Sequence, residues 1–88
     1  MSKRLSKFKT KYMTLLLSIK NELAQKYPDK VDRISYIVEV LMHKLYALKG
    51  HSLADYLHTV YLASKEFAEF GKLIPSREEI NEVLKEED

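Results

Sequence analysis

The sequence has 88 residues and a net charge of +2; 45% of the residues are hydrophobic, 32% are charged and none is a cysteine. This length corresponds to one domain over residues 1–88, and the composition excludes intrinsic disorder, disulfides and thiolate metal sites. Two glycines and two prolines are too few turn formers for an all-β chain. The absence of cysteine suits a reducing compartment, so we expect a cytoplasmic protein.

The longest apolar stretch, residues 13–19, is interrupted by Thr14 and Ser18. A membrane-spanning helix needs about 20 apolar residues, so we expect no membrane span. The basic N-terminal segment is followed by Lys20 and no small-residue cleavage site, which argues against a secretion signal.

The first predicted helix covers residues 3–26. Apolar side chains recur there at steps of three and four, which is the period of a helix with one buried face; they are Leu5, Phe8, Tyr12, Leu15, Leu16, Ile19 and Leu23. Pro28 ends this helix because proline disfavours the α conformation at the residue before it.

The second predicted helix covers residues 30–49. Its main apolar stripe consists of Ile34, Ile37, Val38, Leu41, Leu45 and Leu48. Asp29 is placed to cap its N-terminus, and Gly50 is expected to end it in a left-handed conformation.

Two further helices are predicted over residues 52–70 and 77–86. Ser52 with Asp55 resembles a capping box at the start of the first, and Ser76 with Glu79 has the standard Ser-x-x-Glu form at the start of the second. Three long helices joined by tight turns must pack side by side. We therefore predict an all-α fold, an antiparallel three-helix bundle of long helices with a short fourth C-terminal helix.

The second helix carries another stripe on its opposite side. Tyr36, Val40, His43 and Ala47 follow steps of four, three and four, and Tyr46 lies off the main stripes. A helix that is apolar on two sides is normally buried on two sides. Either the fourth helix covers this stripe, or a protein partner or a second copy of the chain does. We predict a protein interface at these five residues.

Charge is distributed unevenly along the chain. Residues 1–50 carry a net charge of +7 and residues 51–88 one of −5. Five cations at the N-terminal end, which we call the basic arm, are candidates for contact with phosphate: Lys3, Arg4, Lys7, Lys9 and Lys11. Lysine-rich charge supports binding to the nucleic-acid backbone without base readout. The alternative is the solvated face of an amphipathic helix.

Acidic residues are concentrated at the C-terminal end; they are Glu78, Glu79, Glu82, Glu86, Glu87 and Asp88. We expect them to form a solvated end of the chain. The alternatives are that they mimic phosphate or that they cover the basic arm within the same chain.

No residue pattern predicts catalysis. His51, Asp55 and His58 share one helical face, but a fourth ligand is missing, so we predict no metal site. The chain has no cysteine nucleophile and no phosphate-binding loop, and we expect neither a cofactor nor a small-molecule substrate.

We expect no membrane partner, because a membrane-surface anchor formed by the first helix would need the apolar stripe that the bundle core buries. Two other functions are consistent with these features. The first is a non-catalytic accessory or adaptor protein of nucleic-acid machinery, such as a small subunit of a DNA polymerase or transcription complex. In it, the basic arm contacts phosphate and the second helix docks on protein. The alternative is a purely protein-binding helical module or homodimer, of the inhibitor or immunity type, with no nucleic-acid contact.

Overall fold

The computed structural model describes residues 3–85, except for the side chain of Lys3. Four α-helices follow one another along the chain: α1 (Lys3–Lys26), α2 (Val31–Tyr46), α3 (Leu53–Glu66) and α4 (Arg77–Leu84). Three 3₁₀ turns connect them, at Pro28–Lys30, Gly50–Ser52 and Ala68–Leu73. The described chain contains no strand. The predicted all-α class and the antiparallel three-helix bundle with a short C-terminal helix are confirmed.

The apolar stripes of α1 and α2 form the centre of the bundle. Leu16 and Leu23 of α1, and Leu41 and Leu45 of α2, are fully buried. Full burial of each such side chain contributes about 1.5–3 kcal/mol. The helical periodicity read from the sequence therefore identifies the buried face of both helices.

The ends of α2 differ from the prediction. Asp29 lies in the first 3₁₀ turn instead of capping α2, and Lys30 at the N-cap makes no side-chain capping bond. At the other end α2 stops at Tyr46, and none of the described glycines has a positive φ. The Leu48 amide bonds to the carbonyl of Leu45 at 3.2 Å, a 3₁₀ contact that replaces the α-helical pattern.

Gly50 does not adopt the left-handed conformation that was expected at the end of α2. The Ser52 side chain instead stabilises the turn that follows α2. Its Oγ accepts a hydrogen bond from the Lys49 amide at 3.0 Å and makes no capping bond to α3. The predicted Ser52–Asp55 capping box is therefore wrong.

The third predicted helix, over residues 52–70, is divided in two. Phe67 has an extended backbone (φ −135°, ψ 109°), and this ends α3 at Glu66. The following six-residue 3₁₀ turn packs on α1 and buries Phe70 and Leu73 completely. The Phe67 ring also contacts Tyr27 and Phe70, with centroids 5.5 and 6.2 Å apart. The break thus gathers aromatic side chains around the end of α1.

The capping box at the start of α4 is confirmed. Ser76 Oγ accepts a hydrogen bond from the Glu79 amide at 3.2 Å, and Glu79 Oε1 accepts one from the Ser76 amide at 3.1 Å. Helix α4 packs against α1 and the Gly50–Ser52 turn, and Val83, 1% exposed, is buried there.

Candidate functional site

The acidic helix α4 lies against the basic arm of α1. Arg4 Nε is 3.0 Å from a carboxylate oxygen of Glu82, and Lys11 Nζ is 2.7 Å from Oε2 of Glu79. The expectation of a solvated acidic end is therefore wrong for Glu79, whereas Glu82 pairs with Arg4 while its side chain stays 48% exposed. Glu86, Glu87 and Asp88 lie outside the described residues.

Glu79 makes four hydrogen bonds, two at the N-cap of α4 and two that join α4 to α1. Besides its capping bonds with Ser76, its Oε1 accepts a hydrogen bond from the Tyr12 hydroxyl at 2.8 Å, and its Oε2 accepts one from Lys11. Partial burial of the carboxylate raises its pKa. The hydrogen bonds from Lys11, Ser76 and Tyr12 outweigh burial, and the pKa of Glu79 falls to about 2. Burial and the hydrogen bond to Glu79 raise the pKa of Tyr12.

The other cations of the arm differ in their contacts. Lys9 Nζ donates to the backbone carbonyl of Tyr46 at 2.9 Å and so satisfies one of the free carbonyls at the end of α2. Lys7 has no ion pair with any residue that the structure describes. The side chain of Lys3 lies outside the described residues. The arm is thus partly neutralised by the fold itself.

The second apolar stripe of α2 is not beneath α4. Instead it borders a groove between α2 and α3, which we call the α2–α3 groove. Tyr36 is 58% exposed there, and Leu62 of α3 is 52% exposed. The groove is lined by Arg33, Tyr36, Ile37, Val40, Thr59, Leu62, Ala63 and Glu66. Of the two sequence-based possibilities for this stripe, cover by α4 is therefore wrong.

One end of the groove is closed by a bidentate ion pair. Arg33 Nε and Nη2 donate to the two carboxylate oxygens of Glu66 at 2.6 and 2.8 Å. The hydrogen bonds of this pair lower the pKa of Glu66 and raise that of Arg33. The guanidinium also lies over the ring of Tyr36, 5.6 Å from its centroid. This arrangement fixes the orientation of Tyr36 at the rim of the groove.

A second depression lies further along α2, beyond Val40. It is lined by His43, Lys44, Ala47, Ser52 and Asp55. Lys44 Nζ donates to Asp55 Oδ2 at 2.6 Å, so an ion pair joins α2 to α3 at this depression as well. No group of three or more His, Cys, Asp and Glu side chains within residues 3–85 is arranged to hold a metal ion.

The predicted interface residues therefore divide into three sets. Tyr36 and Val40 line the groove, and His43 and Ala47 line the adjoining depression. Tyr46 is 74% exposed but lines neither of them.

The α3 wall of the groove is absent from the sequence-based interface. Asp55, Thr59, Leu62 and Glu66 recur at steps of four, three and four, so they share one face of α3. Leu62 on an otherwise polar outer face was the signal that could have revealed the second wall.

Comparison of this chain with protein-family models, with curated proteins and with solved structures finds no match. Among the helices that the structure describes, none has both the length and the apolar character to cross a membrane.

Proposed function

We propose that this chain is a non-catalytic protein-binding module that docks a helical partner along the α2–α3 groove. The observation that carries the proposal is an open apolar groove between two antiparallel helices, with the Arg33–Glu66 ion pair at one end and the Lys44–Asp55 ion pair in the neighbouring depression. Grooves of this kind accept the apolar face of a helix from another chain.

The exposed side chains of the groove provide the driving force. Tyr36 and Leu62 are each more than half exposed, and Val40 between them is partly exposed. Completing the burial of a half-exposed leucine or tyrosine contributes about 1 kcal/mol. Exposed apolar surface that is contiguous and rimmed by charges is typical of protein interaction sites.

Charge complementarity defines the chemistry of the partner. The α2 side of the groove carries the cations Arg33 and Lys44, and the α3 side carries the anions Glu66 and Asp55. A matching partner presents a central row of apolar side chains, with acids opposite α2 and cations opposite α3. Such complementarity fixes the orientation of docking more than it adds affinity.

The nucleic-acid function has weaker support from the geometry. Arg4 and Lys11 are held by glutamates of α4, and Lys9 is held by a backbone carbonyl. Phosphate would have to displace those carboxylates before it could bind these cations. Contact with nucleic acid stays a prediction, and we favour the protein-binding function. The absence of cysteine supports the cytoplasm as its location.

A photo-crosslinking side chain placed at position 62 tests the proposal. Position 17 is the matched control, because Leu17 of α1 is 49% exposed and Leu62 is 52% exposed. In cells of the source organism we expect a defined protein adduct, identified by mass spectrometry, from position 62 and none from position 17. The proposal fails if both positions give the same adducts or if position 62 gives none.

A further inference from the structure

We propose that the partner in the α2–α3 groove is a second copy of this chain, so that two copies pair their α2 and α3 helices into a four-helix interface. This inference rests on the proposed function, because it names the protein that the groove binds. Its basis is the spacing of the charges along the two helices.

The charges on α2 and α3 have the same spacing. Arg33 and Lys44 are eleven residues apart on α2, and Asp55 and Glu66 are eleven residues apart on α3. Eleven residues make about three helical turns, so each pair lies along one face of its helix. Because the helices run in opposite directions, Arg33 meets Glu66 at one end and Lys44 meets Asp55 at the other. One wall is therefore basic at both ends, and the other is acidic at both ends.

A two-fold axis parallel to the helices makes this surface complementary to itself. The operation places α2 of one copy over α3 of the other and keeps every residue at its height along the groove. Arg33 then faces Glu66 of the second copy, and Lys44 faces Asp55 of the second copy. At each end, the two ion pairs form a ring of four alternating charges, with the reciprocal contacts of a two-fold interface.

The other face-to-face arrangement is disfavoured by the same charges. An axis perpendicular to the helices places α2 over α2 with its direction reversed. Arg33 of one copy then faces Lys44 of the other, and Asp55 faces Glu66. Like charges opposite one another in an interface are destabilising, so the charge pattern selects the parallel axis.

The selected arrangement also matches apolar groups in the centre. Tyr36 lies within one residue, about 1.5 Å, of the height of Leu62 on the facing helix, and Val40 lies at the height of Thr59. The half-exposed Tyr36 and Leu62 of each copy are therefore covered by their counterparts in the other. Each α2 is antiparallel both to its own α3 and to that of the second copy, as in an up-and-down four-helix bundle.

Sedimentation equilibrium of the full chain, from low micromolar to hundreds of micromolar concentration, measures the association directly. We expect a reversible monomer–dimer equilibrium. We also expect Leu62→Lys to weaken it by about tenfold or more, since a charge then faces the basic wall of the other copy. Leu17→Lys is the control and leaves the equilibrium unchanged. A chain that stays monomeric throughout overturns the dimer, while the crosslinking of position 62 to a different protein would still uphold the proposed function.

A charge-swapped variant tests the register. R33E/K44D/D55K/E66R exchanges the signs of the two walls but keeps each ion pair within the chain, and it remains self-complementary. When wild type and variant pair about the parallel axis, every facing pair of charges between the unlike copies has equal signs. By native mass spectrometry we expect both homodimers and far fewer mixed dimers than the statistical half. A statistical proportion of mixed dimers overturns the proposed register, and circular dichroism of the variant verifies that it is folded.

Discussion

Lys11 and Glu79 are 68 positions apart in the sequence, yet Lys11 Nζ donates a hydrogen bond to Glu79 Oε2 at 2.7 Å. This contact joins the first helix of the bundle to the last. It explains why a short acidic helix docks on a basic one, and why α4 is absent from the groove on the other side of α2. The groove is consequently open to a partner.

Replacing Glu79 with Gln is expected to weaken the docking of α4. The amide keeps the size of the side chain but loses the charge that holds Lys11. We expect a loss of about 1–2 kcal/mol in the free energy of unfolding, measured by urea denaturation. Glu78→Gln is the control, because Glu78 is an exposed neighbour in the same helical turn; its effect should stay within about 0.5 kcal/mol. Equal effects of the two substitutions would contradict the role assigned to Glu79.

Stability is expected to fall in acid because of the same carboxylate. The pKa of Glu79 is about 2 in the folded chain, against an ordinary value of 4.5. The unfolded state therefore binds the proton more readily, and the stabilisation is fully present above about pH 4.5 and lost as the pH falls towards 2. Hydrogen bonds from Lys26 and Lys72 lower the pKa of Glu22, and the Arg33 guanidinium lowers that of Glu66, so both act in the same direction.

Urea denaturation at a series of pH values measures this dependence. Glu79→Gln should have a flatter profile than wild type between pH 4.5 and 2, because its amide does not titrate in that range. Parallel profiles for the two proteins would show that Glu79 does not contribute.

Two buried tyrosines are expected to respond differently to loss of the hydroxyl. The Tyr12 hydroxyl donates to Glu79 at 2.8 Å, whereas the buried Tyr56 hydroxyl has no hydrogen-bond partner among the described groups. Tyr12→Phe should therefore cost about 1 kcal/mol. Tyr56→Phe should be neutral or stabilising, because it removes a buried polar atom without breaking a hydrogen bond. Thermal unfolding of the two variants measures both changes in stability. A larger loss of stability for Tyr56→Phe than for Tyr12→Phe would refute the prediction.

Much of the fold was predictable because helical periodicity is a local property. The stripe from Phe8 to Leu23 is buried as expected, and the Ser76–Glu79 capping box is present. The break at Phe67 was not predictable, because the same side chains would also fit the buried face of an uninterrupted helix. What decides it is the packing of Phe70 and Leu73 on α1, a contact between distant segments.

The candidate site was predictable only in part. The exposed stripe at Tyr36 and Val40 was found because an apolar residue on a second helical face is conspicuous. The wall at Leu62 was missed because a groove depends on which helices are neighbours. Whether the cations of the basic arm have carboxylate partners also depends on tertiary structure. The docking of α4 brings Glu82 to Arg4 and Glu79 to Lys11.

Neutralising the acids of α4 provides a test of the nucleic-acid prediction. In E79Q/E82Q the cations Arg4 and Lys11 lose their carboxylate partners. We expect weak, salt-sensitive binding of wild type to duplex DNA, measured by gel shift at several salt concentrations. Two additional cations available to phosphate should tighten binding and steepen the slope of log affinity against log salt by about 2.

The opposite pattern would favour the nucleic-acid function. If wild type binds tightly at moderate salt, and replacing Lys3, Lys7 and Lys11 with Gln abolishes that binding, the basic arm is already a functional phosphate site. The cover that α4 provides would then have no bearing on DNA binding.

Thiol labelling of Leu62→Cys measures whether protein covers the α2–α3 groove. The chain has no cysteine of its own, so one introduced thiol reports on one position, and Leu17→Cys serves as the comparably exposed reference. We predict that in cells of the source organism the thiol at position 62 reacts much more slowly than in the dilute purified chain, while the thiol at position 17 reacts equally fast in both. Equal reactivity of position 62 in cells and in dilute solution would show that no protein covers the groove.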